Sequence, residues 1–248
     1  MINIIPLTGL PEIRPGQDIA ALLACKLPVS LEPDDILIVT QKVISKAEGR
    51  FVKLGEVTPS EKAVNLAAIV KKDARLVELV LRESSDIVRA VPHVLITRHK
   101  LGHVMANAGI DSSNIGDGDS DTVLLLPEDP DKSALKIASA IAEICGVRPA
   151  VVVSDSFGRP WRMGVTAVAI GVAGMPALID QRGNLDRNGR TMEVTQIAIG
   201  DSVASAANLV MGEGAEGIPA AILRGLTISK PSQGVTALLR SAEEDLFR

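Results

Sequence analysis

The chain has 248 residues, 46% of them apolar, and a mean hydropathy of +0.26, enough to bury a core in one large domain or two small ones. A formal charge of −4, a pI near 5.5 and 2% aromatic residues with no Tyr argue against a broad nucleic-acid surface or base-stacking platforms. No apolar run approaches the roughly 20 residues of a membrane span and no signal peptide is visible, so a cytoplasmic, reducing setting is expected, with Cys25 and Cys145 as core residues.

The elements alternate in the manner of an α/β protein. Arg14-Pro15-Gly16-Gln17-Asp18 ends in a helix cap, and Ile19, Leu22 and Leu23 follow at helical spacing. Asp34-Asp35 precede the run Ile36 to Thr40, whose continuous apolarity suits a strand covered on both faces. Gln41, Lys42, Ser45 and Lys46 then form a basic, polar segment. Residues 60–83 are helical in pattern, and Val123 to Leu126 read as a strand. A helix is expected from Asp131 to Cys145, with Ile137, Ile141 and Ile144 on one stripe and Gly146 as its stop. It leads into Ala150 to Val153, a second covered strand, so Asp155 is expected just past a strand end, where α/β proteins commonly place active-site groups.

Beyond it, Met163 to Leu178 is rich in Gly and Ala and suits tight packing or a subunit interface. Gln181 to Arg190 is a turn-rich loop, Glu193 to Ile199 a candidate strand, and Asp201-Ser202 a cap for a helix through Met211, ended by Gly212. No repeat or linker interrupts the chain, which predicts one compact module, with two lobes as an option.

Two polar islands stand out, Gly109 to Asn114 and Ser154 to Arg162. Carboxylates and hydroxyls are hard oxygen ligands for Mg²⁺ or Mn²⁺, and Asp111, Asp155 and Ser156 supply them. Lys42, Lys46, Arg159 and Arg162 could neutralise nucleotide phosphates, so the pattern points to metal-dependent phosphoryl transfer. Neither GxxxxGK[ST] nor a strand-borne GxGxxG is present, so a nucleotide must be held in another way.

Weaker signals have plainer readings. Asp117-Gly118-Asp119-Ser120-Asp121 with Glu128 imitates a calcium loop, but Thr122 stands where the sharp turn needs Gly, and a capped turn is favoured. His99 and His103 have a metal-ligand spacing on a helix, yet their surroundings read as strand and turn. Taken singly, Asp111 and Asp155 could be solvated turns, and Arg159 and Arg162 could pair with surface acids.

Together with Leu10 to Gly16 and Thr40 to Arg50, the blocks Ala106 to Asn114 and Ser154 to Arg162 resemble the coenzyme F420-0:L-glutamate ligases, also called F420 gamma-glutamyl ligases. The similarity runs from Pro6 to Phe247 and includes Leu209 to Glu213. It implies a family-specific mixed α/β fold in an intertwined homodimer, and GTP-dependent addition of L-glutamate to F420-0 and then, gamma-linked, of another. The resemblance further implies that Leu10, Pro11, Glu12, Ile13, Gln41, Lys46, Asn114 and the segment Met211, Gly212, Glu213, Gly214, Ala215, Glu216, Gly217 and Ile218 contact the guanine nucleotide. Asp111, Asp155, Ser156 and Glu213 would hold Mg²⁺ or Mn²⁺, with K⁺ as a candidate auxiliary ion. Lys46, Asp155, Arg159 and Arg162 are the residues expected to act in catalysis, one of the arginines gripping the acceptor's anionic tail.

Two positions depart from the family. Members often carry Thr at the position of Ser156, which keeps the hydroxyl, and Glu at the position of Ser202, a helix-start carboxylate that Asp201 could replace. The flavin-binding reductase-like extension of some actinobacterial members is not expected in this chain. Two other readings remain: a GTP-dependent ligase for a different acid, and a nucleotide-binding module without turnover.

Overall fold

The computed structural model describes residues 1–116, 121–228, 231–241 and 243–245. Its frame is the pair of covered strands that the apolar runs predict. In chain order the first elements are β1 (Asn3–Leu7), α1 (Ile19–Cys25), β2 (Ile36–Thr40), α2 (Gln41–Ala47) and β3 (Phe51–Lys53). Then come α3 (Glu61–Val70), α4 (Ala74–Glu83), β4 (Ser84–Val91), β5 (Val94–His99), β6 (Val104–Ala106) and β7 (Thr122–Leu124). The chain continues through α5 (Pro130–Cys145), β8 (Ala150–Arg159), β9 (Arg162–Ala173), β10 (Ile179–Asp180), β11 (Gln196–Ile197), α6 (Ile199–Met211) and β12 (Ala220–Arg224). The central sheet has the order β1-β12-β2-β8-β9, with β2 and β8 parallel and the other neighbours antiparallel. The fold is mixed α/β.

Alternation along the strands sends Leu37, Val39, Val151, Val153 and Ile222 to one face, against Leu23 of α1 and Ile137 and Ile141 of α5. Ile36, Ile38, Val152, Ala221 and Leu223 turn to the other, against Val203, Ala204, Ala207 and Met211 of α6. Burial on both faces is why these strands are continuously apolar. Ile141 is wholly buried, and its truncation to Ala would cost about 2–5 kcal/mol. At Gly171, β9 crosses the first turn of α5 so closely that a Cβ would lie 2.5 Å from the Pro130 carbonyl, so tight packing does explain that part of the Gly/Ala-rich segment.

A smaller core gathers α3, α4 and β5 through Ala63, Val70, Val77, Val80 and Leu95. Here the helical pattern of residues 60–83 divides in two, because Lys71 adopts φ 53 and Asp73 caps α4 by accepting from the Arg75 amide at 2.8 Å. Other expectations need correction too. Cys25 is exposed at the end of α1, away from the buried face of Ile19, Ala20 and Leu23, and Cys145 is half-buried. Ile144 is exposed, since α5 packs through Ile137, Ile141 and the small Ala134 and Ala138. The strand expected over Glu193 to Ile199 shrinks to Gln196–Ile197, and α6 starts earlier than its expected cap, with Ala198 as N-cap. The Asp201 carboxylate instead accepts from the Ala169 amide of β9 at 2.9 Å.

The largest difference concerns Asp155. The strand does not stop at Val153 but runs on to Arg159, turns at Pro160-Trp161 and returns as β9. β2 ends opposite Ser154, so past that point β8 and β9 form a ribbon with no other strand beside β8 among the described residues. Of the imitation calcium loop, residues 117–120 lie outside the described residues, while Asp121 accepts from the Gly55 amide at 2.8 Å and pairs with Arg75 at 3.0 Å. Among the described residues no helix is long and apolar enough to cross a membrane.

Candidate functional site

The parallel strands β2 and β8 deliver their C-terminal ends to the same edge of the sheet, and the chain opens a cavity there. β2 passes directly into α2 at Gln41, and the Thr40 amide donates to the Pro219 carbonyl at 2.9 Å, tying the loop before β12 to the strand end. The cavity has a volume of about 650 Å³. Its walls include Leu10 to Ile13, Gln41, Lys46, Asn114, Ser154 to Ser156 and the continuous segment Met211 to Ile218. Every residue the resemblance assigns to the nucleotide therefore lines one space, although they come from four separated stretches of chain. Gly212 has φ +74, and a Cβ there would lie 2.2 Å from Cδ of Glu216, so the turn leaving α6 needs glycine. Asn114 Nδ2 closes the rim by donating to the Gly214 carbonyl at 3.3 Å.

Asp155 and Glu213 give the cavity an acidic floor, and Asp111, which does not itself line the cavity, stands behind it against Gln41 and Lys42. Asp111 is delivered by three consecutive left-handed residues, Asn107, Ala108 and Gly109, with φ of 50, 52 and 68. Such backbone costs on the order of 1 kcal/mol for each residue that is not glycine. The Gly109 position admits no side chain, since a Cβ would meet Met105 Cε at 2.7 Å and Leu126 at 2.9 Å. Asp111 then exchanges two backbone hydrogen bonds with Leu124, at 2.9 and 2.8 Å, which anchor it. Its carboxylate accepts from Gln41 Nε2 at 2.7 Å and lies 3.6 Å from Lys42 Nζ. Lys42 also donates to the Ser113 carbonyl at 3.3 Å, and the Lys46 ammonium pairs with Glu12.

Asp155 sits in β8 opposite Val168, and its neighbour Ser156 donates to Glu213 Oε2 at 2.6 Å. Asn208 Nδ2 donates to Glu213 Oε1 at 2.9 Å. Burial, then the charges of Asp111 and Glu213, push the Asp155 carboxyl up to about 7, against the opposing pull of a Ser156 backbone hydrogen bond and of Lys42. Burial raises Asp111 as well, and Lys42 and Gln41 only partly offset it. The floor thus holds more negative charge than its own cations neutralise. Its oxygen-rich donor set fits a hard divalent cation. Among the described residues, no three His, Cys, Asp or Glu side chains form a group that could hold a metal ion by themselves.

Other expected residues lie elsewhere. Arg159 and Arg162 are not part of the cavity wall. They face each other across the hairpin tip, roughly 13 Å along the strand from Asp155, and Arg159 Nη1 donates to the Gly164 carbonyl at 3.3 Å. Ser202 donates to the Ala198 carbonyl at 3.1 Å, and both it and Asp201 occupy the first turn of α6, the end opposite Met211. His99 ends β5 and its amide donates to the His103 carbonyl at 2.8 Å; burial holds the His103 imidazole down to about 4, and its ring meets Phe157 edge-on. Sequence reasoning missed Asn208, which has a faint signal as the last polar residue before the helix stop at Gly212, and named Ser45 only as part of the polar segment after β2, without a role of its own.

The sequence profile described as F420-0:Gamma-glutamyl ligase matches residues 9–225, most of the chain and all of the cavity wall. The chain belongs to this family. A relative from Methanopyrus kandleri named coenzyme F420:L-glutamate ligase is 45% identical over 244 residues, covering 96% of this chain and 94% of the relative. Proteins of the same name from Archaeoglobus fulgidus and Methanothermobacter thermautotrophicus are each 42% identical, covering all of this chain and 96% and 99% of their own lengths. The F420-ligase profile thus spans every cavity segment from Leu10 to Ile218.

Proposed function

We propose that the protein is an amide-forming ligase of coenzyme F420 biosynthesis, joining L-glutamate to the terminal carboxylate of F420-0 at the expense of GTP, and adding a further gamma-linked glutamate to the product. The observation that carries this reading is the convergence of the segments the resemblance assigns to the nucleotide on one cavity lined by Asp155 and Glu213, with Asp111 close by and Lys42 only partly offsetting their charge. The names of the full-length relatives support the acceptor and the amino acid.

A carboxylate is a poor acyl donor in water, so it must be activated first. In the proposed reaction a carboxylate oxygen of the acceptor attacks the γ-phosphorus of GTP. The bond to the β-phosphate oxygen breaks, and GDP and an acyl phosphate result. The amine of L-glutamate, having lost a proton, attacks the carbonyl carbon; the C–N bond forms, the C–O bond to phosphate breaks, and inorganic phosphate leaves. Asp111, Asp155, Ser156 and Glu213 would hold Mg²⁺ or Mn²⁺, which supplies charge neutralisation for the phosphate oxygens. Lys46, freed from Glu12 or shared with it, and Lys42 add positive charge on the α2 side of the cavity. The apolar wall of Leu10, Ile13 and Met211 excludes water, which would otherwise consume the acyl phosphate.

Arg159 and Arg162 are assigned to the acceptor's anionic tail. Like charges directly opposed across a sheet are unfavourable, and an anionic ligand between the two guanidinium groups would relieve that. The exposed ribbon of β8 and β9 suits the homodimer of the family, which sizing of the protein in solution tests.

Incubation of the purified protein with F420-0, L-glutamate, GTP and Mn²⁺ or Mg²⁺, followed by mass spectrometry of the deazaflavin, tests the reaction. The expected result is a gain of one or more glutamyl units with GTP and none with ATP. Breakdown of GTP with an unextended deazaflavin would retain phosphoryl transfer and discard the acceptor.

A further inference from the structure

Beneath the cavity floor runs a short chain of hydrogen bonds that the proposed chemistry does not use. Ser45 lies one turn along α2 from Gln41, and the two side chains are 0% and 1% exposed. A helical serine often points to solvent or returns its hydroxyl to the backbone carbonyl four residues back. Here Ser45 Oγ donates instead to the Gln41 side-chain oxygen, Oε1, at 2.9 Å. The opposite end of the same amide, Nε2, donates to Asp111 Oδ2 at 2.7 Å. An amide has a donor end and an acceptor end of nearly equal shape, and an ionised carboxylate accepts from only one of them.

We propose that Ser45 is a positioning residue: by satisfying Gln41 Oε1 in the core, it holds the donor end of the amide on Asp111 and so fixes the carboxylate for a divalent cation. The inference rests on the reading of Asp111 as a cation ligand. Without the hydroxyl, Oε1 is a buried acceptor with no partner, and rotation of the amide away from Asp111 competes with the ordered geometry. Partners standing behind a metal's direct ligands typically govern affinity by ten- to a hundredfold, and a group one bond further back belongs at the lower end.

The test is a Mn²⁺ titration of the full chain without nucleotide, with free Mn²⁺ followed by electron paramagnetic resonance. Ser45→Ala and the nearly isosteric Ser45→Cys, whose thiol is a weak donor, should each weaken Mn²⁺ binding by about five- to tenfold. Ile44→Val, which trims the buried face of the same helix, controls for mere loosening and should leave the affinity within twofold of the wild type while lowering Tm. Asp111→Asn, run alongside, should abolish tight binding. If Asp111→Asn loses Mn²⁺ but both Ser45 variants bind as the wild type does, Ser45 is only a core residue and the proposal is overturned. Mn²⁺ binding untouched by Asp111→Asn would instead overturn the cation reading of Asp111 itself, and the proposal with it.

Discussion

A buried acid at one end of the central sheet and a group of acids toward the other are treated by the protein in opposite ways. Asp35 stands just before β2, fully buried, and receives two hydrogen bonds from Arg224 at the end of β12, at 2.8 and 2.7 Å. Burial pushes its carboxyl up, but the Arg224 guanidinium and the Glu32 amide more than compensate, and it ends below the usual carboxylate range. Asp155, in the neighbouring strand just past the point where β2 ends, is raised to about 7 by burial and by the charges of Asp111 and Glu213, against a Ser156 backbone hydrogen bond and Lys42. A carboxylate whose task is to hold the sheet together is paired within the chain. One that the proposed function assigns to a cation has less opposing charge set against it within the chain, at a cost in stability.

The contrast can be broken first through activity. Asp155→Asn should lower ligation by at least about a hundredfold with the fold intact, as removal of a transition-state electrostatic partner does. Turnover near the wild-type value would detach Asp155 from the reaction. Its counterpart is Arg224→Met, which strands an ionised Asp35 in the core. That should cost about 3–5 kcal/mol and lower Tm by roughly 10 °C, while the turnover of whatever remains folded is unchanged. A variant as stable as the wild type would show that the pair at that end is not structural.

Smaller effects sharpen the picture. Asn208→Ala removes the amide that holds Glu213 Oε1 and is expected to lower activity about tenfold, mostly by weakening the response to Mn²⁺. A variant with an unaltered metal dependence would leave Asn208 as ordinary helix surface. Arg162→Ala should raise the acceptor's KM by about tenfold, the loss of one charged hydrogen bond, with the KM for GTP untouched. An unchanged acceptor KM would remove Arg162 from recognition.

Much of the frame was legible in the chain. Ile36 to Thr40 and Ala150 to Val153 could be read as covered strands because both faces of the sheet are buried, and α1 and α5 because Asp18 and Gly146 mark an end of each. The hairpin from Ser154 onward was not, and the reason is physical. Past Phe157 the hairpin is exposed, and Gly158, Arg159, Pro160 and Arg162 have the composition of a turn. The exposed Cys25 and Ile144 reflect the same limit, since helix faces packed by alanine leave room for large apolar residues outside. Asp111 and Asp155 could be singled out as residues, but their proximity depends on the left-handed turn at Asn107 to Gly109, which no local pattern announces. That Leu10 to Ile13, Gln41, Lys46, Asn114 and Met211 to Ile218 belong together was suggested by family resemblance and not by periodicity, and the structure brings them to one cavity.

The most direct test of the unanswered charge at the cavity floor is the difference in Tm between the wild type and Asp155→Asn, measured from pH 5 to pH 8.5 with and without Mn²⁺. The folded carboxyl of Asp155 lies above its unfolded value of 3.8, so its contribution is fully favourable below that value and is lost as pH rises through about 7. The metal-free wild type should therefore fall several degrees below the variant by pH 8.5, and Mn²⁺ should restore the wild type while leaving the variant unmoved. Parallel curves for the two proteins, with equal responses to Mn²⁺, would contradict the assignment of Asp155 to a charged, cation-binding floor.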